Sequence, residues 1–184
     1  MKFVALLRGI NVGGKNKVPM AELKACFEEL GCKNVQTYIA SGNVIFDSNK
    51  SAAKLAEEIE EALPKKFKLD SELITTLVLS HDQLKKVISQ APKGFGTEPS
   101  KFHSDAIFLM GIASEEAFKI FSPREGVDKV WQGDLVIYSQ RLSAQRTKSR
   151  LNRIMSSPLY KRMTIRSWAT TAKLLELMNA ATRE

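Results

Sequence analysis

Cysteine is scarce, with 2 among 184 residues. A disulfide-built secreted scaffold is excluded, and the count fits a reducing compartment. Cys26 and Cys32 match no zinc-ligand spacing, and both read as packing residues. Histidine is as rare, again 2. Neither His81 nor His103 has the Ser or Cys partner that a catalytic triad requires. No apolar run approaches the roughly 18 residues that cross a membrane; the longest, 106–113, has a glycine inside it. Five apolar residues between Lys2 and Arg8 are fewer than the roughly 7–15 of a secretory leader. The expected location is therefore the cytoplasm, with no membrane partner. Three tyrosines and 2 tryptophans are too few for a base-stacking platform.

Acid is missing from one long stretch. Between Asp134 and Glu176 there is none, while nine basic residues lie there: Arg141, Arg146, Lys148, Arg150, Arg153, Lys161, Arg162, Arg166 and Lys173. The net charge of +8 is correspondingly uneven, with +1 over residues 1–80 and +7 over 81–184. A one-signed field of this kind draws polyanions. Hydrophobic residues at 43% and charged residues at 26% describe a globular chain, long enough to bury a core without staples.

Periodicity gives the element order. Residues 3–7 form an apolar run read as a buried strand. A loop rich in Gly, Asn and Lys follows over 9–18, then a helix opened by Pro19. Leu23, Cys26, Phe27 and Leu30 lie on one face of that helix, which Gly31 ends. Strands over 35–39 and 44–47 flank a turn at 40–43. Leu55, Ile59, Ala62 and Leu63 mark a second helix ending near Pro64, and a strand follows at 73–79. The sum is βαββαβ, the ferredoxin-like unit. Ser80 and Gln83 form a capping box for a short helix bearing Leu84, Val87 and Ile88. The Pro- and Gly-rich stretch 92–99 reads as a linker.

Beyond it the pattern restarts. Residues 106–112 echo 6–10, Glu115 to Phe121 echo Ala21 to Phe27, and Gln132 to Tyr138 echo Ser41 to Phe46. A helix is expected over 144–155, a strand at 163–166, and a last helix from Trp168 with Leu174, Met178 and Ala181 on one face. The expected organisation is α+β: a first ferredoxin-like half with a helical extension (1–91), a linker (92–99), and a second half with a C-terminal helix (100–184), related by duplication.

The βαββαβ order brings the loop after the first strand and the turn after the second to one end of the sheet. Arg8, Asn11, Gly13, Gly14, Lys15, Ser41 and Asn43 thereby become a candidate ligand site, in a loop that is much shorter in the second half. Gly9 to Asn16 nearly fits the phosphate loop G-x-x-x-x-G-K-[ST], but Asn16 replaces the magnesium-binding hydroxyl. A simpler nest of glycine N–H groups aided by Arg8 and Lys15 remains the open form of this reading. The second candidate is a basic stripe: Arg146, Arg150 and Arg153 at i, i+4 and i+7 of the expected helix, joined by Lys161, Arg162 and Arg166, suited to a phosphate backbone. The RNA-recognition strand pattern fails, because residues 41–46 lack its basic leader and paired aromatics. The glutamates at 57, 58, 60 and 61 read as a solvated helix face.

Leu6-Leu7-Arg8-Gly9-Ile10-Asn11-Val12-Gly13-Gly14, Met20, Thr37-Tyr38-Ile39, Ser41-Gly42-Asn43-Val44 and Thr164-Ile165-Arg166-Ser167-Trp168 together resemble an uncharacterised bacterial family, domain of unknown function family 1697. Ser167 departs from the Asn expected before the Trp. The resemblance implies an α+β fold with ferredoxin-like halves and brings no activity. On these grounds the chain is expected to bind an anionic ligand, nucleic acid foremost, without catalysis, cofactor or metal. A small-molecule or nucleotide-binding enzyme using the Arg8–Lys15 loop is the alternative, and a protein–protein module the third. The sequence assigns neither a catalytic set nor an oligomeric state.

Overall fold

The computed structural model describes residues 1–71 and 73–180. It is an α+β structure with two four-stranded antiparallel sheets. Contacts divide the chain into two compact units: Met1–Leu84 with the segment from Leu174, and Lys85–Lys173.

In the first unit, β1 (Lys2–Leu7), α1 (Met20–Glu29), β2 (Lys33–Tyr38), β3 (Asn43–Asp47), α2 (Ala52–Lys66) and β4 (Thr76–Ser80) follow in order. The sheet order is β2-β3-β1-β4. β1 is central, with Phe3 opposite Phe46 on one side and Ser80 on the other. Val4 and Leu6, on the opposite face from Phe3, Ala5 and Leu7, are fully buried as well, so residues 3–7 need no polar alternation. Phe3, Ala5 and Leu7 pack with Leu23, Cys26 and Phe27 of α1 and Leu55, Ile59 and Leu63 of α2. Each Leu, Ile and Phe among them contributes about 1.5–3 kcal/mol on leaving water. Gly31, at φ +84°, stands just past α1, where a left-handed residue closes the helix. Pro64 does not end α2, which runs two residues further to Lys66. A proline there removes one N–H from the last turn only, and the Phe67 N–H still reaches the Leu63 carbonyl at 2.9 Å.

The capping box forms as its spacing demands. The Ser80 N–H donates to Gln83 Oε1 at 2.9 Å and the Gln83 N–H to Ser80 Oγ at 3.2 Å. This opens α3 (His81–Ser89), along which the chain passes from one unit to the other.

The second unit continues with β5 (Phe102–Leu109), α4 (Ser114–Phe118), β6 (Asp128–Gln132), β7 (Val136–Leu142) and β8 (Met163–Ser167); α5 (Trp168–Ala180) follows, its residues from Leu174 on belonging to the first unit. Its sheet order, β6-β7-β5-β8, repeats that of the first. Segment 92–99, expected as a linker, is built into this unit instead. Phe95 is buried, with its ring centroid 5.0 Å from Trp168, 5.5 Å from Tyr138 and 5.8 Å from Trp131. Leu174 and Met178 of α5 are fully buried, while Ala181 lies outside the described residues.

The helix expected over 144–155 is absent. Three 3-10 turns stand between β7 and β8, at Ser143–Lys148, Leu151–Ser156 and Pro158–Arg162. The break has a long-range cause. In an α-helix the Arg150 N–H would donate to the carbonyl four residues back. Here it donates to Asp128 Oδ2 at 2.8 Å, alongside the Arg124 N–H at 2.9 Å. Ser149 and Ser157 are extended, at ψ 143° and 140°. Pro158 disfavours helical backbone at Ser157.

Candidate functional site

The 9–16 loop of the first unit is a miniature hairpin. Val12 and Lys15 form an antiparallel bridge. The Lys15 N–H donates to the Val12 carbonyl and the Asn11 N–H to the Asn16 carbonyl, both at 3.0 Å. Gly13 and Gly14 between them have φ +59° and +77°, the two positive values of a type I′ turn. This geometry replaces the phosphate-loop reading. The amide of Lys15 is spent on the hairpin, and Gly13, Gly14 and Lys15 stand exposed at its tip.

Two asparagines clamp the hairpin, both in the left-handed region that Asn tolerates. Asn11 Nδ2 donates to the Ala40 and Val18 carbonyls at 2.9 Å each, and its Oδ1 accepts from the Val18 N–H at 2.8 Å. The loop is thereby tied to the β2–β3 turn, as the topology requires. Leu7 N–H donates to the Gly42 carbonyl at 2.8 Å. At Gly42 an added Cβ would lie 2.9 Å from Leu7 Cβ and from Ile10 Cδ1. Within the turn, buried Asn43 donates through Nδ2 to the Tyr38 carbonyl at 3.0 Å and to Ser41 Oγ at 2.9 Å. Ser41 and Asn43 thus brace the turn. Arg8 is half-buried at the base of the loop, its N–H on the Thr75 carbonyl at 2.9 Å.

Asn16, passed over in the sequence as a defect in a phosphate loop, is the second clamp. It is 5% exposed. Its Nδ2 donates to the Gly9 carbonyl at 2.9 Å and to Ser71 Oγ at 3.0 Å; its Oδ1 accepts from the Asp70 and Ser71 N–H groups at 2.8 and 3.0 Å. The Asn16 N–H donates to Asp70 Oδ2 at 2.6 Å. Asp70 and Ser71 escaped the sequence reading because they lie more than 50 residues away.

In the second unit, Arg146, Lys148, Arg150, Arg153 and Lys161 are exposed on the 3-10 segment. None of these five makes an ion pair among the described residues. They do not form the expected helical stripe. Arg146 belongs to the first turn, Arg150 to the break, and Arg153 to the second. Arg162 is exposed but engaged, its Nε on the Met110 carbonyl at 3.2 Å and its Nη2 on the Gly111 carbonyl. Arg166 leaves the basic face altogether. It is 7% exposed, and Nη1 donates to Thr164 Oγ1 and to the Ile165 carbonyl, both at 2.9 Å. Burial pushes its guanidinium down to about 10.

Cys26 and Cys32 are buried, unpaired thiols, and burial pushes both up, Cys32 to about 11. Neither is a thiolate near neutral pH. Among the described residues no cluster of His, Cys, Asp and Glu is built to hold a metal ion, and no helix is long and apolar enough to cross a membrane.

A family model described as "Protein of unknown function (DUF1697)" matches residues 1–138. Among solved structures, the conserved bacterial protein SP0830 from Streptococcus pneumoniae is 26% identical. It superposes with a TM-score of 0.77 over 96% of this chain and 98% of that one. No curated protein matches the chain.

Proposed function

We propose a function from one premise: the chain belongs to the DUF1697 family of proteins of unknown function. The proposed role is non-enzymatic and cytoplasmic, the binding of an anionic ligand, with nucleic acid as that ligand. One observation carries it: five exposed cations within residues 143–162 have no ion-pair partner among the described residues, in a stretch free of acid. Solvated pairs would neutralise such a surface; here the field is left for a polyanion. Loss of the helical stripe does not weaken this, because phosphate contacts need charge within reach rather than helical spacing. The free thiols of Cys26 and Cys32 suit a reducing cytoplasm. For the fold, we infer two ferredoxin-like halves related by duplication, the second with three 3-10 turns where the first has its second helix, supported by the repeated strand order.

The test is fluorescence anisotropy of labelled 20-nucleotide DNA across a salt series. With four to five phosphate contacts, the log–log slope is about −3 to −4.5, at roughly 0.7–0.9 per phosphate. Arg146→Glu, Arg150→Glu and Arg153→Glu together abolish binding and leave the melting temperature unchanged, since all three side chains are exposed. A wild-type protein that binds neither single-stranded nor duplex DNA at low salt defeats the reading.

A small-anion site at the 9–16 hairpin is the second reading, in which the protein is an enzyme. It is favoured by preorganisation: Gly9, Asn11, Gly13, Gly14 and Asn16 are all left-handed, and the clamps hold them so. Titration with inorganic phosphate and nucleotides, followed at the Gly13, Gly14 and Lys15 amides, decides it.

A further inference from the structure

The two sheets differ at one equivalent place. Aligning Gly9 with Gly111 along the repeated strands sets Asp105 where the first half has Phe3. Phe3 faces Phe46 across the strand pair, with ring centroids 5.9 Å apart. Asp105 instead faces Ser139. The next position outward pairs His103 with Arg141. A stacked aromatic pair in one core thus becomes a polar group of four in the other.

In the first half, α2 packs on this face with Leu55, Ile59 and Leu63 fully buried. In the second, the 3-10 segment takes its place and leaves a cleft of about 100 Å³. Asp105, Ser139 and Arg141 line one part of it, with Asn152 added from the second 3-10 turn. Ile107, Ile154 and Ile165 give it apolar walls. The Asp105 side chain is only 16% exposed, with Oδ2 3.0 Å from His103 Nε2. Burial holds its carboxyl above the usual range, against the pull of His103 and Arg141. Placing a carboxyl where the sister half buries a phenyl ring costs stability unless it is satisfied.

We propose that this cleft is a nucleobase subsite, and that the nucleic acid bound by the second unit is single-stranded. The proposal rests on the polyanion reading and deepens it. The chemistry of the cleft is that of a flat heteroaromatic ring with a polar edge. Isoleucines meet the faces; a carboxyl accepts N–H groups, a guanidinium donates to ring carbonyls, and the Asn152 amide does both. The volume fits the same choice. Pockets for drug-sized ligands span about 300–1,000 Å³, so one ring enters here and the sugar and phosphate stay outside. Outside are the cations: Arg150 and Arg153 flank Leu151 and Asn152 in the chain, and Lys161 follows Tyr160, another lining residue. A base still stacked in a duplex cannot enter.

The experiment compares a labelled single-stranded oligodeoxynucleotide with an abasic backbone of the same length and label. Seating one base tightens binding about 5-fold or more over the abasic strand, the range of one base–protein stack. Ile165→Trp fills the lip of the cleft, and Asn152→Ala removes a polar contact on an exposed turn. Each erases the preference for bases while the affinity and salt slope of the abasic strand stay as they were. Equal affinity for the two strands overturns the subsite and leaves the polyanion reading standing. A preference that survives both variants overturns it as well. Failure of the abasic strand to bind at low salt instead removes the polyanion reading. Free nucleosides then judge the cleft alone: shifts at the Ser139 and Asn152 amides sustain it, and their absence overturns it.

Discussion

Replacing Asn16 by alanine removes four hydrogen bonds at once. The Gly9 carbonyl and Ser71 Oγ lose a donor; the Asp70 and Ser71 N–H groups lose their acceptor. At about 0.5–1.5 kcal/mol each the gross range is about 2–6 kcal/mol. Asp70 and Ser71 are exposed residues, so water replaces part of what is lost and the low end of the range applies, about 2–3 kcal/mol. Alanine must then adopt φ near +49°, adding about 1 kcal/mol. The expected loss is about 3–4 kcal/mol, which lowers the melting temperature of a chain of this size by about 6–15 °C. Asn16→Gly loses the same bonds without the conformational penalty, so it is about 1 kcal/mol milder than Asn16→Ala. Circular dichroism melts of the three proteins measure both differences. An Asn16→Ala protein within 1 kcal/mol of wild type, or a glycine variant less stable than the alanine one, refutes the clamp.

Two further outcomes are expected. Gly42→Ala forces a Cβ to 2.9 Å from Leu7 Cβ and Ile10 Cδ1 at φ +82°; it costs about 2–4 kcal/mol by overpacking and left-handed strain, and a urea midpoint no lower than wild type would contradict the close approach. The Tyr138 hydroxyl donates to the Val87 carbonyl at 2.6 Å, and burial raises its pKa to about 12 from an ordinary 10. A raised value means the folded state holds the proton more tightly, so this stabilisation is intact below pH 10 and fades as pH climbs toward 12. Melts between pH 9 and 11.5 should show the decline, and Tyr138→Phe should reduce it.

Local signals read out well wherever both partners lie within a few residues. The Ser80–Gln83 box, the Gly31 helix end and the apolar face of α1 needed nothing from the rest of the chain. The element order of the first unit was also legible, because strand and helix periods alternate within short windows. What escaped was set by distant partners. Arg146, Arg150 and Arg153 have helical spacing, but the carboxylate that diverts the Arg150 N–H belongs to Asp128, 22 residues away. Asn16 carries no mark of being a clamp until Asp70 and Ser71 arrive beside it. Adjacent Gly13 and Gly14 were a sign that could have been taken locally, since paired left-handed glycines favour a hairpin tip over a phosphate cradle. Arg166 was grouped with its charged neighbours, whereas the fold buries the face of β8 that it shares with Thr164.

The exchange of a helix for three 3-10 turns also sets a rhythm for the molecule in solution. Through the interior of α2, the amides are shielded behind a regular ladder of bonds and a fully buried apolar stripe. Across 143–162, short turns with poorer hydrogen-bond geometry are separated by extended serines and moored to the sheet through Asp128. Such a segment can lift without the strands beneath it coming apart. In deuterated water its amides should take up label long before those of residues 52–66. Chemically similar layers in the two halves would then differ in how often they breathe, and the half with the softer cover is the one that carries the cleft.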